Sequence, residues 1–140
     1  MSAPDDVELV RRVYDLVNRG DLEALEACFA PDMVRHELTD LIAHAEGSDS
    51  VTSFLDGLRA AIPDLHMELE DVFATGEGRV AARSTLTGTM KGAFLGQAPT
   101  GRRASFAAIT LYRVKDGLIA EAWSLVDWAG ALRQFGAQAR

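Results

Sequence analysis

The sequence predicts an α+β fold in which helices pack on one strongly bent antiparallel sheet. In the first part of the chain the apolar residues recur at helical spacing, whereas from residue 67 onward they mostly alternate with polar residues, as in half-buried strands. Turns rich in glycine and proline separate the strands. Helices followed by a run of strands are typical of α+β domains, so we expect the helices to close an apolar hollow against the concave sheet face.

Three helices are expected before the main run of strands. The first ends at Gly20, because glycine readily adopts the left-handed conformation that terminates helices. Asp21 can cap a short second helix whose inner side includes Phe29, and Pro63 stops the third helix. The predicted first and third helices span residues 5–19 and 50–62.

The predicted strands follow a turn at residues 30–32. A short first strand, residues 33–38, carries His36, and residues 39–47 are expected to form a loop over the mouth of the hollow. Because Lys115-Asp116-Gly117 is typical of a turn, the last two strands should form a hairpin. The remaining strands are expected near residues 67–73, at 79–89 and at 103–114, with a last strand that ends before a helix at 127–135.

The strand at residues 103–114 is apolar on both of its faces. Phe106 and Tyr112 point one way, whereas Ile109 and Leu111 point the other way. One face can cover the hollow, but the other needs a second cover, which another copy of the sheet would supply. We therefore expect a homodimer.

Asp127 is the residue that the pattern favours most for chemistry. If the last strand is regular, Asp127 shares a face with Trp123 and Glu121, which places a carboxylate beside an apolar wall. Loss of solvent raises the pKa of a carboxylate and makes it a better base near neutral pH. The alternative is that Asp127 caps the helix that follows it, and one residue can serve both purposes.

Length, charge and cysteine content narrow the classes of function. The chain has 140 residues, which fits one domain over residues 1–140. Its net charge of −7 argues against nucleic-acid binding, because nothing offsets repulsion by phosphate. Cys28 is the only cysteine, so no internal disulfide can form. With no signal peptide and no apolar run long enough to span a membrane, we expect a cytoplasmic protein without a membrane partner.

The sequence does not predict a metal site. His36, Asp40 and His44 are spaced by four residues and would share one face of a helix, as zinc ligands can. Their segment does not have a helical pattern, however, and His66 is remote in the sequence. We therefore expect no bound metal.

The second half of the chain carries motifs that resemble those of a known family. They are Gly-Thr at 88–89, Gly-x-Phe-x-Gly-x-x-Pro-Thr-Gly-Arg at 92–102, Arg-Val-x-Asp-Gly at 113–117, Glu-x-Trp at 121–123, and Asp127. Their combination resembles the SnoaL-like polyketide cyclases, which belong to the nuclear-transport-factor-2-like group of cone-shaped α+β folds. The resemblance covers nearly the whole chain and implies the same fold.

The resemblance also implies a reaction. In these cyclases an aspartate at the position of Asp127 acts as general acid/base, so that an enolate forms and closes a ring in an intramolecular aldol reaction. A histidine at the position of His36 hydrogen-bonds a substrate carbonyl and stabilises the enolate. Neither a metal nor a redox cofactor is needed. The resemblance thus implies an enzyme, without cofactors, for an apolar polyketide-like carbonyl substrate.

The chain departs from the family pattern at two positions. Many relatives have a histidine after Gly-Thr, where this chain has Met90, and many have Glu-His-Trp, where this chain has Ala122 in the middle. These replacements make the pocket drier and leave two alternatives open: a hydroxylase or epoxide-opening enzyme on the same fold, and a binding module without catalysis. The predicted substrate-contacting residues are Tyr14, Met90, Phe106, Thr110, Trp123 and Trp128.

Overall fold

Two of the described helices precede the sheet in the chain, one follows the first two strands, and one follows the last strand. The computed structural model describes residues 2–38, 45–46 and 48–136. A capping box between Ser2 and Asp5, in which each side chain accepts a bond from the other's backbone N–H, starts the first helix two residues before its predicted boundary. None of the helices in these ranges has both the length and the apolar content needed to cross a membrane. The helices are α1 (Ala3–Arg19), α2 (Leu22–Glu26), α3 (Ser48–Ala61) and α4 (Trp128–Phe135).

The described residues form a curved, six-stranded sheet. Its strands are β1 (Phe29–Glu37), β2 (Ala45–Glu46), β3 (His66–Ala74), β4 (Arg79–Thr89), β5 (Arg103–Lys115) and β6 (Leu118–Val126). Their order across the sheet is β2-β1-β6-β5-β4-β3. Neighbouring strands are antiparallel except β1 and β6, which run parallel. The combination of helices and curved sheet confirms the predicted α+β fold class, and the parallel pair refines the prediction.

The hairpin between β5 and β6 turns at two residues with left-handed backbone. Asp116 has a φ of 53° and Gly117 has a φ of 76°. Two positive φ angles in a two-residue loop match the right-handed twist of the strands on either side. The turn that the sequence predicts at this position is therefore confirmed.

Alternate residues of β5 face opposite sides of the sheet. On the inner face, toward the helices, Phe106 and Tyr112 are buried. On the outer face, Ile109 and Leu111 are 52% and 43% exposed. The predicted division of the two faces is confirmed, and the outer face is uncovered within one chain.

The predicted boundaries around β1 were wrong. The strand begins at Phe29, so residues 30–32 lie in the strand rather than in a turn, and Phe29 does not belong to α2. The register with β6 is irregular between Phe29 and Val34, which accommodates Pro31, a residue without an N–H to donate. The two-residue strand β2 occupies part of the predicted loop, and residues 39–44 and 47 of that loop lie outside the described residues.

Candidate active site

An apolar cavity lies between the inner face of the sheet and helices α1 and α3. Its volume is about 110 Å³. Sites for drug-sized ligands are larger, typically about 300–1,000 Å³. Most of the lining is aliphatic or aromatic, and the polar residues in it are Tyr14, Arg35, Ser84, Thr110 and Tyr112. The cavity therefore suits a small molecule that is largely apolar.

Arg35 places a charge in the lining of this cavity. It follows Met33 by two residues on β1, so both side chains face inward, and the Arg35 side chain is only 10% exposed. Its Nη1 donates to Glu37 Oε2 at 3.3 Å, and the guanidinium carbon lies 4.6 Å from the centre of the Phe54 ring. Its Nε is buried and has no hydrogen-bond partner among the described residues.

Glu37 is a buried carboxylate directly beside Arg35. Its side chain is 2% exposed, and it is not among the residues that line the cavity. Oε1 accepts a bond from Trp128 Nε1 at 3.2 Å, while Oε2 accepts from Arg35. Burial raises the pKa of Glu37, against the smaller lowering effects of the Trp128 bond and the Arg35 charge. A raised pKa makes a carboxylate a better proton acceptor near neutral pH.

The phenol groups of Tyr14 and Tyr112 form a second polar part of the cavity lining, apart from Arg35. Tyr112 Oη donates to Tyr14 Oη at 3.0 Å. Burial raises the pKa of both tyrosines, so both keep their protons near neutral pH. Neutral hydroxyl groups in an apolar site are suited to donate a hydrogen bond to a carbonyl or enolate oxygen.

The strand register aligns these groups in one row across the sheet. Arg35 pairs with Ala122 on β6, and Ala122 pairs with Tyr112 on β5. Neighbouring strands are about 4.8 Å apart, so the backbones of Arg35 and Tyr112 are separated by about 10 Å. Because Ala122 has a small side chain, the floor between the two polar groups stays open. This is one of the two positions at which the chain departs from the family pattern.

Two of the residues predicted to contact substrate line the cavity, namely Tyr14 and Thr110. The indole of Trp128 is buried in an aromatic cluster, where it meets the rings of Phe54, Phe94 and Phe106. Trp128 contributes to the site through the hydrogen bond from its Nε1 to Glu37, and it does not form part of the cavity wall. The predicted contact residues that are not in the lining are Met90, Phe106, Trp123 and Trp128.

Asp127 lies outside the cavity, at the start of α4. Its side chain is exposed, and Oδ1 accepts the backbone N–H of Gly130 at 2.9 Å. The prediction that Asp127 caps the last helix is confirmed. Asp127 also borders a groove on the outer sheet face, beside Ile109 and Leu125. That Asp127 acts as a base stays a prediction, and Asp127 is not among the residues that line the cavity.

His36 also lies on the outer face of the sheet. Its Nε2 is 2.6 Å from Glu121 Oε2, and its ring stacks on Trp123 with centroids 5.3 Å apart. Glu121 Oε1 accepts a second bond, from Arg113 Nε at 3.1 Å. The bond with His36 is the main cause that lowers the pKa of Glu121, with Arg113 acting in the same direction. The structure thus separates His36 from the cavity.

The described ranges contain no group of three or more histidine, cysteine, aspartate or glutamate residues that could hold a metal ion. Asp40 and His44, two members of the metal triad considered from the sequence, lie outside those ranges. The third member, His36, contacts the carboxylate of Glu121.

Sequence reasoning missed Arg35 and Glu37. The signal that could have found them is the period of two along β1, which places Met33, Arg35 and Glu37 on one face. An apolar residue at the start of that row indicates a buried face. Two opposite charges that follow it are then candidates for a buried pair.

Comparison with known proteins decides the family. A family model described as SnoaL-like polyketide cyclase matches residues 7–135. The chain belongs to the SnoaL-like polyketide cyclase family. Its fold is the nuclear-transport-factor-2-like fold that the motifs imply, so both the family and the fold predicted from the sequence are confirmed.

Proteins of several bacteria resemble the chain over most of its length. An uncharacterized protein of Mycobacterium tuberculosis is 35% identical over 103 residues, which cover 69% of this chain and 76% of that protein. AclR of Streptomyces galilaeus, a proposed hydroxylase, is 30% identical with a TM-score of 0.84, over 96% of this chain and 83% of AclR. IdmH of Streptomyces antibioticus, a proposed polyketide cyclase, is 30% identical with a TM-score of 0.81, over 94% of this chain and 99% of IdmH.

Proposed function

We propose that this SnoaL-like protein is a cofactor-independent enzyme that moves a proton at the carbon next to a carbonyl group, as a cyclase or isomerase does. The observation that carries the proposal is the arrangement around the cavity. Arg35, with Glu37 bound behind it, lies on one side, and the Tyr14–Tyr112 phenols lie on the other. Forming an enolate requires a base and a hydrogen-bond donor on either side of the reacting carbonyl compound, in a site that excludes water.

Each group has a role in the proposed reaction. Glu37 takes the α proton, the electrons of the C–H bond form the carbon–carbon double bond of the enolate, and the carbonyl π electrons move to oxygen. Tyr14 donates to that oxygen, and the bond that Tyr14 accepts from Tyr112 strengthens its own donation. In a cyclisation, the enolate carbon then attacks a second carbonyl of the same substrate, and Glu37 returns the proton to the new alkoxide. Arg35 keeps Glu37 in place.

The size of the cavity limits the substrate. A volume of about 110 Å³ suits a compact compound with a single ring or a short chain. The lining around the polar groups is apolar, which agrees with the apolar carbonyl substrate implied by the family. We therefore propose a small carbonyl compound rather than an extended polycyclic one.

Asp127 and His36 offer a different proposal for the same family chemistry. Both lie on the outer side of the sheet, so they would act only on a substrate bound there. Asp127 borders the outer groove, whereas His36 is engaged by Glu121. Variants of Asp127 and of Glu37 therefore test two distinct locations for the reaction.

A binding module without catalysis is the second candidate function. It is favoured by one observation: the described residues that line the cavity include neither a carboxylate nor a histidine, and Glu37 lies behind Arg35. Such a module would bind a small ligand and release it unchanged. Hydroxylation, as proposed for AclR, and epoxide opening are further alternatives on the same fold.

The proposed function is tested by deuterium exchange into methyl acetoacetate, a small neutral ester whose α protons are flanked by two carbonyls. Proton NMR in deuterated buffer follows the loss of the α-proton signal with and without protein. We expect exchange above the buffer rate, and a decrease of about 100- to 10,000-fold in the protein-catalysed rate for Glu37→Gln. If the wild-type protein does not accelerate exchange, even at concentrations of methyl acetoacetate that saturate the cavity, the binding module is favoured instead.

A further inference from the structure

Arg35 has a hydrogen-bond donor that the described part of the chain does not satisfy. The Arg35 side chain lines the cavity and is only 10% exposed, and its buried Nε has no hydrogen-bond partner among the described residues. Most buried polar groups in proteins are paired, because an unpaired one costs free energy. An unpaired donor on a side chain that lines a cavity indicates that this side chain, here the guanidinium of Arg35, is where a ligand group would bind.

The charge around the cavity favours an anion at this position. Among the described residues that line the cavity, Arg35 alone carries a charge. The negative charge that compensates it, on Glu37, contacts the guanidinium only at Nη1. Burial also raises the pKa of Glu37, which weakens that compensation as the pH falls. An apolar wall around a cation strengthens its attraction for an anionic group.

The shape of the guanidinium narrows the kind of anion. Arginine presents its N–H groups in a planar fork that matches the two oxygens of a carboxylate. The ring of Phe54, 4.6 Å from the guanidinium carbon, limits the approach to one face and so favours a ligand group in the plane of the fork. From there the open floor at Ala122 leads toward the phenols of Tyr112 and Tyr14.

We propose that the substrate of this cavity is a compact monoanion whose carboxylate binds the guanidinium of Arg35, with a flat apolar body over Ala122. This inference rests on the proposed function in taking the cavity as the substrate site, and it adds the class of substrate. It adds a charged group to the apolar polyketide-like carbonyl substrate that the family resemblance implies. With the carboxylate at Arg35, a carbonyl group elsewhere in the substrate lies on the side of Tyr14 and Tyr112.

Isothermal titration calorimetry with benzoate and benzamide tests the inference. The two compounds have nearly the same shape and differ in charge, and neither has an α proton that the protein could remove. We expect benzoate to bind about 10- to 100-fold more tightly than benzamide to the wild-type protein, as for a charge-assisted hydrogen bond. In Arg35→Met this preference should disappear. Arg83→Met, which removes an exposed arginine from β4, is the matched control and should keep it.

A second variant keeps the test decisive if Arg35→Met does not fold. Arg35→Met with Glu37→Gln removes both charges, so no buried carboxylate is left without its partner. Thermal melting followed by circular dichroism identifies the variants that fold. The folded variant should bind both compounds with equal affinity, and retention of the benzoate preference would overturn the inference.

The outcomes separate this inference from the proposed function. Equal affinity of the wild-type protein for benzoate and benzamide, or no binding of either, overturns the carboxylate inference whatever the exchange experiment shows. If benzoate binding depends on Arg35 but methyl acetoacetate does not exchange, the inference stands and the proposed reaction fails.

Discussion

Trp128 Nε1 lies 3.2 Å from Glu37 Oε1, and this bond joins the last helix to the first strand of the sheet. The two residues are far apart in the sequence, so only the folded protein brings them together. Trp128 and Arg35 each bind one oxygen of Glu37, which holds this carboxylate directly behind Arg35. The proposed role of Glu37 as the base depends on that position.

Removing the indole donor should shift the pH dependence of the reaction. Trp128→Phe keeps an aromatic ring in the cluster with Phe94 and Phe106 but loses the bond to Glu37. Because that bond lowers the pKa of Glu37, its loss should raise the pKa further and move the pH–rate profile for methyl acetoacetate exchange to higher pH. Phe106→Leu changes the packing without removing a hydrogen bond and should leave the profile in place. An unshifted profile in Trp128→Phe would contradict the positioning role of the indole.

The raised pKa of Glu37 also predicts how stability changes with pH. Its ordinary value is 4.5, and burial raises it in the folded protein. At a pH between the pKa of Glu37 in the unfolded state and its higher pKa in the folded state, the folded state binds more protons. The stability that protonated Glu37 contributes is therefore complete below the pKa of the unfolded state. It is lost as the pH rises through the folded value. Calorimetry should therefore show that the melting temperature of the wild type falls relative to Glu37→Gln across this range; parallel curves would disagree with burial of an ionisable Glu37.

Arg35 and Glu37 should be coupled in stability as well as in geometry. Breaking a buried ion pair by removing one partner costs about 3–5 kcal/mol, because a buried charge is left without compensation. We expect Arg35→Met to lower the free energy of unfolding by roughly that amount, and the double variant with Glu37→Gln to recover part of the loss. Urea denaturation of the two single variants and the double variant measures the coupling. Additive losses would show that the two side chains do not act as a pair.

Local features of the sequence were enough to predict the face pattern of β5, the turn at Asp116 and the cap at Asp127. Alternation, turn chemistry and capping each involve residues that are close in the chain. The start of β1 could not be predicted in this way, since Pro31 is typical of a turn and the strand forms by pairing with the distant β6.

The burial of Arg35 and Glu37 was also beyond local reasoning. Both are charged residues in a short strand, a pattern that is usual at a solvated surface. Their burial results from contacts with Phe54 of α3 and Trp128 of α4, which are brought to β1 by the fold. Conversely, Asp127 has the motif position of a base, but its strand ends on the outer side of the cavity wall.

The outer apolar patch, defined as Phe73, Ile109, Leu111 and Leu125, should mediate a homodimer. These side chains are 43–62% exposed in one chain, and a second copy of the same face would cover them. Leu125→Glu places a charge in the patch and should convert a dimer into a monomer in size-exclusion chromatography with light scattering. Lys91→Glu, an exposed change in the loop after β4, should leave the dimer intact. A monomeric wild-type protein at micromolar concentration would contradict this assignment of the outer face.

The most direct test of the account compares Glu37→Gln with Asp127→Asn in the methyl acetoacetate exchange experiment. Asparagine caps a helix about as well as aspartate, so Asp127→Asn should fold normally. It is a matched control for Glu37→Gln, because each variant replaces one carboxylate by an amide. The account predicts that Asp127→Asn keeps the wild-type exchange rate, whereas Glu37→Gln loses about 100- to 10,000-fold of it. The opposite result, a lost rate in Asp127→Asn and a retained rate in Glu37→Gln, would place the base on the outer face and contradict the assignment of the cavity as the active site.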